Sequence, residues 1–246
     1  MNVDPVAKIA AAAIIAVCLL LSLDSVSAGV ALALELAVIP LLRIPIGRFW
    51  MRTLPLWIAA PLAGLTIALY GRTSGTVYAE FLFARVSEGS LALALATVLR
   101  VLAIGLPALA LFITIDTTRL ADSLAQTLHL PARFVLGALA GTRLIGLAVE
   151  DRRTVTLARR ARGVGDRDLF RRAVGTAFSL LVLALRRGSA LAIAMEARGF
   201  GGSTPRTWAR PARFGASGVV LCLIAAAIGG IAIATAVVTG YWSPFV

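Results

Sequence analysis

Reactive side chains are scarce in this chain, and most of them are arginines. Of its 24 basic residues, 23 are Arg and only Lys8 is Lys; there is one histidine, His129, and there are two cysteines, Cys18 and Cys222. A Walker-type phosphate loop needs Gly-Lys-Ser/Thr, and Lys8, in PVAKIA, has no glycine before it. The chain therefore carries no recognisable ATPase engine. A single histidine excludes the HExxH zinc pattern, and each cysteine lies in its own apolar run as a small apolar residue would. His129 falls near a helix end, where a structural role is expected. No paired-acid motif or Ser/His grouping is placed for catalysis, and Glu150–Asp151 adjoins arginines as a helix-surface cluster. No metal, cofactor or enzymatic activity is expected of this chain.

What remains is recognition by arginine. The context Ala-Arg-Gly occurs twice, thirty-six residues apart: Ala161–Arg162–Gly163 in ARRARGVG and Ala197–Arg198–Gly199 in AMEARGFGG. Glycine stops a helix by taking the left-handed conformation. Alanine leaves the helix tip slim enough to enter a groove. Arginine offers a rigid planar fork of donors that suits a carboxylate and that lysine cannot imitate. The competing account is a plain helix cap, since a cation also suits a helix C-terminus. A third Arg-Gly, Arg187–Gly188, lacks the alanine. In the first copy Arg159 and Arg160 crowd the motif, and Arg162 is favoured because it directly precedes the glycine.

The elements that position these residues follow from composition. The chain has 246 residues, 59% hydrophobic and 15% charged, with mean hydropathy +0.91. Soluble domains sit near 45–50% apolar with about a quarter charged. The fold class is therefore an all-α integral membrane protein. Five apolar runs read as transmembrane helices: 9–23, 26–42, 54–70, 91–115 and 214–241. SVSAG at 25–29 resembles a signal-peptidase site, but the leading MNVDPVAK is barely basic, so a retained first helix is expected.

Arginine placement sets the orientation. The loop RIPIGRFWMR contributes Arg43, Arg48 and Arg52 without an acid, and from Arg143 to Arg213 there are 15 arginines against five acids, +10 of the total +12. The positive-inside rule puts both stretches in the cytoplasm, with the N-terminus inside and the C-terminal YWSPFV outside. Glu35 and Arg100 each then lie nine residues from the outer start of a span, roughly 13–14 Å deep. Unpaired charge at that depth is costly, which suggests an interhelical ion pair.

The chain thus divides into a four-helix transmembrane region at 1–116, a coupling region at 117–213, and a last span with an external tail at 214–246. In the coupling region, Leu120, Leu124 and Leu128 give a short helix one apolar face before Pro131. The apolar stretch Phe134–Val149 carries Arg143 inside it. A charged helix then ends at Gly163, and Ala173–Leu185 is a 13-residue apolar stretch flanked by arginine pairs. A further helical stretch runs from Gly188 to Arg198. Three or four amphipathic helices at the membrane surface are expected, with anionic head groups attracting the arginines as a group.

The order LARRARGVG … LLVLALRRGSALAIAMEARGFGG strongly resembles the transmembrane coupling (T) component of energy-coupling factor transporters. DPVAK, LRVLAIGLPALALFITIDTTRLADSL and RPARF fit the same pattern, so the resemblance covers most of the chain. It implies an L-shaped α-helical membrane protein in the bacterial or archaeal cytoplasmic membrane. It further implies that Ala161, Arg162, Gly163, Ala197, Arg198 and Gly199 dock on two cytoplasmic ABC-type ATPases, which bind the ATP and Mg. The partner in the bilayer would be a small substrate-binding S component that selects a vitamin, related micronutrient or metal ion. The alternative is a membrane-anchored basic protein binding anionic lipid or nucleic acid. Nucleic acid is disfavoured, because Phe170 and Phe178 are the only aromatics from Arg143 to Ala197.

Overall fold

In this computed structural model the described residues are 3–22, 24–38, 40, 46–71, 74, 76–81, 84–163, 169–202 and 207–240. Eight helices run in the order α1 Pro5–Leu20, α2 Ser25–Val38, α3 Ile46–Tyr70, α4 Glu88–Ile113, α5 Thr117–Gln126, α6 Ala132–Ala161, α7 Leu169–Ala197 and α8 Ala216–Val238. A short antiparallel hairpin, β1 Val77–Phe81 and β2 Ala84–Ser87, precedes α4. The chain forms two compact units, Met1–Leu120 with Ala212–Val246, and Ala121–Pro211. Arg43 and the terminal YWSPFV lie outside the described residues.

Local chemistry sets the helix starts. Asp4 caps α1 by accepting the Val6 N–H at 2.9 Å, with Pro5 at the first helical position, where its missing N–H is harmless. Asp24 opens α2, accepting the Ser27 N–H at 2.6 Å and its hydroxyl at 2.8 Å. Ser22 donates to the same carboxylate. Burial pushes the Asp24 carboxyl up, but these hydrogen bonds together outweigh it and hold the group below the ordinary carboxylate range. Ser87 and Ser90 cap α4 reciprocally, each hydroxyl accepting the other's N–H. Asp116 accepts the Thr118 and Arg119 N–H groups at the head of α5. His129 turns the chain beyond α5 with φ 53, a structural role.

In the first unit α1, α2, α3, α4 and α8 pack side by side. The α1 stripe Ala7, Ala11, Ile15 and Leu19 faces Leu221, Ala225, Ile228 and Ala232 of α8, both at helical spacing. Small residues bring these backbones close, as membrane helices do when hydrophobicity cannot drive their association. A Cβ at Gly229 would sit 2.7 Å from the Cys18 Cβ and Sγ, and one at Gly218 would sit 2.9 Å from the Ala7 Cβ. Lys8, only 8% exposed, donates its ammonium to the Thr114 carbonyl at 3.0 Å and hydroxyl at 2.8 Å. It thereby ties α1 to the C-terminal end of α4, where a cation is favourable.

In the second unit α6 and α7 are single helices of 30 and 29 residues. This corrects the sequence expectation, which divided each of them into shorter amphipathic pieces. Gly137, Gly141, Gly146 and Gly188 have ordinary helical backbone and no proline intervenes, so the hydrogen-bond ladder continues through changes of composition. Five helical segments are long and apolar enough to cross a membrane: Phe49–Tyr70, Glu88–Ile113, Ala132–Ala161, Phe170–Ala197 and Ala216–Val238. Three of these, Phe49–Tyr70, Glu88–Ile113 and Ala216–Val238, fall where the sequence placed spans, and the other two lie on α6 and α7. α1 and α2, of 16 and 14 residues, are short for a core of about 30 Å, whereas α6 and α7 reach that length.

Close packing at Gly229 gives a direct test. Gly229→Leu should destabilise the first unit by roughly 1–3 kcal/mol, the usual overpacking range. Cys18→Ala should recover part of that loss, as read by detergent-unfolding titrations of the two single variants and the double variant.

Candidate functional site

Both Ala-Arg-Gly sites end long helices. α6 stops at Ala161 with Arg162 as its C-cap, and α7 stops at Ala197. Gly163 and Gly199 have φ of 70° and 78°, the left-handed conformation that favours glycine. Each glycine N–H donates to the carbonyl three residues back, Arg160 at 3.0 Å and Glu196 at 2.9 Å. At the end of α7 the Phe200 N–H also reaches the Met195 carbonyl at 3.0 Å, which completes a Schellman motif. Ala161, Arg162, Ala197 and Arg198 are all exposed. One local geometry therefore occurs twice: a helix stopped abruptly, with a guanidinium at its tip.

The third Arg-Gly behaves differently. Arg187–Gly188 lies inside α7, and Arg187 grips Asp151 of α6 with both terminal nitrogens, Nη2 donating to Oδ1 at 2.9 Å and Nη1 to Oδ2. Arg-Gly alone does not end a helix here. At the first motif the structure sets Arg159 apart from its two neighbours. Arg159 Nη2 lies 3.5 Å from the Ser179 hydroxyl, and a Cβ at Gly175 would sit 2.9 Å from both terminal nitrogens of Arg159. Arg159 is thus a strut against α7, while Arg160 and Arg162 remain exposed.

These contacts fix the geometry of the pair. Eight residues forward on α6, from Asp151 to Arg159, match eight backward on α7, from Arg187 to Ser179. The helices therefore run antiparallel. Arg162 lies eleven residues beyond Asp151, and Arg198 eleven beyond Arg187. The two tips consequently point in opposite directions from the ion pair, roughly 33 Å apart at 1.5 Å per residue. Toward the Arg198 end a groove of about 1060 Å³ opens between the helices, with Leu139, Leu144, Leu191 and Met195 among its walls and Arg143 and Arg198 among its polar groups.

The expected Glu35–Arg100 ion pair is not formed. Arg100 Nη2 donates to the Ser22 carbonyl between α1 and α2, beside the Asp24 carboxylate. Glu35 is 2% exposed, and neither of its carboxylate oxygens has a hydrogen-bond partner. α2 begins at Ser25 and ends at Val38, so Glu35 lies three residues from its far end, while the Arg100 side chain reaches back to the opposite end. The capping turn, invisible in hydropathy, supplied the nearer oxygens. Sequence reasoning also missed the Lys8–Thr114 tie, although Lys8 is the only lysine of a very arginine-rich chain. Among the described residues no three His, Cys, Asp or Glu gather to hold a metal.

The architecture is that of a multi-pass helical membrane protein whose distinctive polar groups are arginines at helix ends. The family model described as CbiQ, cobalt transport protein, matches residues 1–208. The energy-coupling factor transporter transmembrane protein EcfT of Limosilactobacillus fermentum is 30% identical over 196 residues, covering 71% of this chain and 72% of that protein. The chain belongs to the CbiQ cobalt transport protein family, and it is a membrane component, of the T type, of an energy-coupling factor transporter.

Arg159 and Arg162 should separate cleanly in experiment. Arg159→Ala should raise amide hydrogen exchange several-fold in the segment 170–179 of α7, because it loosens the strut and lowers the local opening free energy. Arg162→Ala should leave that exchange unchanged.

Proposed function

We propose that this chain couples two cytoplasmic ATPase subunits to a separate membrane-embedded substrate-binding S component, for uptake of a vitamin, related micronutrient or metal ion. Arg162 and Arg198 are the docking groups, each offering its guanidinium to acidic or carbonyl oxygens in a groove of one ATPase. Ala161 and Ala197 keep the tips narrow, and Gly163 and Gly199 stop the helices behind them. ATP and Mg belong to the ATPases. This chain supplies no chemistry and transmits motion. The N-terminus lies inside and the C-terminus outside, in keeping with the +10 charge between Arg143 and Arg213.

The observation that supports this reading most is the opposed placement of two identical exposed tips about the Asp151–Arg187 pair. A simple cap needs no such duplication, and Arg187–Gly188 shows an arginine of the same helix used for internal packing instead. Two sites roughly 33 Å apart along one helical pair suit two subunits better than one. ATPase closure would shift the tips relative to each other, and α6 and α7 would carry that movement to the S component. Linked sites bind more tightly than either alone, so loss of one tip weakens the whole assembly.

Arg198→Ala and Arg162→Ala should each reduce co-purification of the ATPases at least about tenfold, the loss expected for a charge-assisted contact of roughly 1.5–3 kcal/mol. Each should abolish uptake while leaving membrane insertion normal. Arg198→Lys should rescue poorly. Full uptake in both alanine variants would rule out the docking assignment.

A further inference from the structure

The groove between α6 and α7 carries a charge that the docking of the two tips does not use. Its α6 wall includes Leu136, Leu139, Arg143 and Leu147, and its α7 wall includes Arg187, Leu191, Met195 and Arg198. Steps of three and four residues put each set on one helical face. Both walls are thus leucine and methionine with arginine set among them. Arg133 also borders the groove, and no aspartate or glutamate does. A volume of about 1060 Å³ is room for an organic molecule and not only for a lone ion.

These arginines are not equivalent. Arg187 is neutralised by Asp151 across the helix pair. Among the described residues no carboxylate pairs with Arg143 or Arg198, and both are exposed. Arg143 is also the only charged residue between Phe134 and Val149. The antiparallel register set by Asp151 and Arg187 places Arg143, eight residues back on α6, level with Met195, eight forward on α7. Arg198 stands three residues beyond Met195, about 4.5 Å along the axis. Two guanidiniums without an acid partner therefore stand at nearly one level, one from each wall. Leu136 and Leu139 lie on one side of that level, and Leu144, Leu147 and Leu191 on the other.

The occupant that fits is anionic at one point and apolar beyond it. Guanidinium forks bind phosphate oxygens in pairs, and hydrocarbon chains leave water to lie against leucine. α6 and α7 are long and apolar enough to cross a membrane and present Phe134, Ile145, Leu181 and Ile193 to their surroundings. The bilayer itself supplies a molecule of that chemistry. We propose that the α6–α7 groove binds an anionic phospholipid, its phosphate held by Arg143 with Arg198 beside it, and an acyl chain lying along Leu144, Leu147 and Leu191. Seated there, the lipid fills the space between the two helices and holds them apart at a set distance. This differs from a general attraction of head groups to surface arginines, because it depends on which arginine is present. The assignment turns on Arg143 and does not rest on the docking of Arg162 and Arg198.

The test is lipid retention by the full chain, purified in detergent, titrated with phosphatidylglycerol or phosphatidylcholine and read by native mass spectrometry. Wild type should hold phosphatidylglycerol at least about tenfold more tightly than the zwitterionic lipid, the scale of one charge-assisted contact. Arg143→Gln should remove most of that preference. Arg153→Gln, at an exposed arginine of α6 outside the groove, should leave it intact. Ala140→Trp places bulk in the groove without changing its charge, and it should lower retention of phosphatidylglycerol as well. It supplies the second reading if Arg143→Gln does not insert. Equal retention of the two lipids, or an equal loss in Arg153→Gln, would reduce the effect to general surface charge and overturn the proposal. Displacement of the lipid by inorganic phosphate, with Ala140→Trp unaffected, would mark a simple anion site instead. Unchanged lipid retention in Arg143→Gln together with loss of a co-purifying membrane protein would give the groove to a protein partner.

Discussion

The contact between Asp151 and Arg187 decides where everything on the α6–α7 pair lies. A two-nitrogen grip fixes register as well as distance, and here it joins residues that each stand eleven positions before an Ala-Arg-Gly arginine. Slide one helix by a turn and the two tips no longer lie evenly about the contact. The Arg159 strut over Gly175 sets the angle on one side. On the other side the groove near Arg198 opens between the helices. Both helices present large apolar side chains to their surroundings, among them Ile145, Phe178, Leu181 and Ile193. Such surfaces are rare on a soluble monomer and suit a membrane or a membrane partner.

The other unit solves a different problem with the same economy of polar groups. Its helices are apolar nearly all round, so small residues bring backbones together and each polar side chain must find an oxygen or a donor inside the protein. Most succeed at helix ends, where unsatisfied backbone groups are available. Asp24 takes the N–H and hydroxyl of Ser27, Arg100 takes the Ser22 carbonyl, and Lys8 takes the end of α4 at Thr114. Glu35 is different because it lies within its helix, where backbone groups are already paired.

The membrane class, the helical fold and both arginine motifs were legible in the sequence. Mean hydropathy, charge-free runs and glycine placement report on single residues or short windows, and φ at Gly163 and Gly199 matches what those residues invite. Helix continuity was not legible. The changes from apolar to charged at Val149–Glu150 and from Leu185 to Arg186 look like boundaries, yet composition does not break a helix without proline or a left-handed residue. The hairpin was missed because Val77–Phe81 is too short to stand out in the mixed loop at 71–90. The Glu35–Arg100 pairing failed for a similar reason: depth in a span was readable, but not that the Ser22 carbonyl, beside the Asp24 charge, takes the same guanidinium.

The choice among Arg159, Arg160 and Arg162 shows what tertiary contact adds. In sequence the three differ only by position, and adjacency to glycine favours Arg162. Helical geometry adds that residues three apart lie on one face while neighbours point roughly 100° away. Arg159 faces α7 and is held there by Ser179 and the bare backbone of Gly175, where any side chain would collide with it. Arg162 is the cap of the helix and exposed, and Gly163 turns the chain behind it. With the helix ended at Ala161 and Arg162 as its cap, that guanidinium stays exposed at the tip.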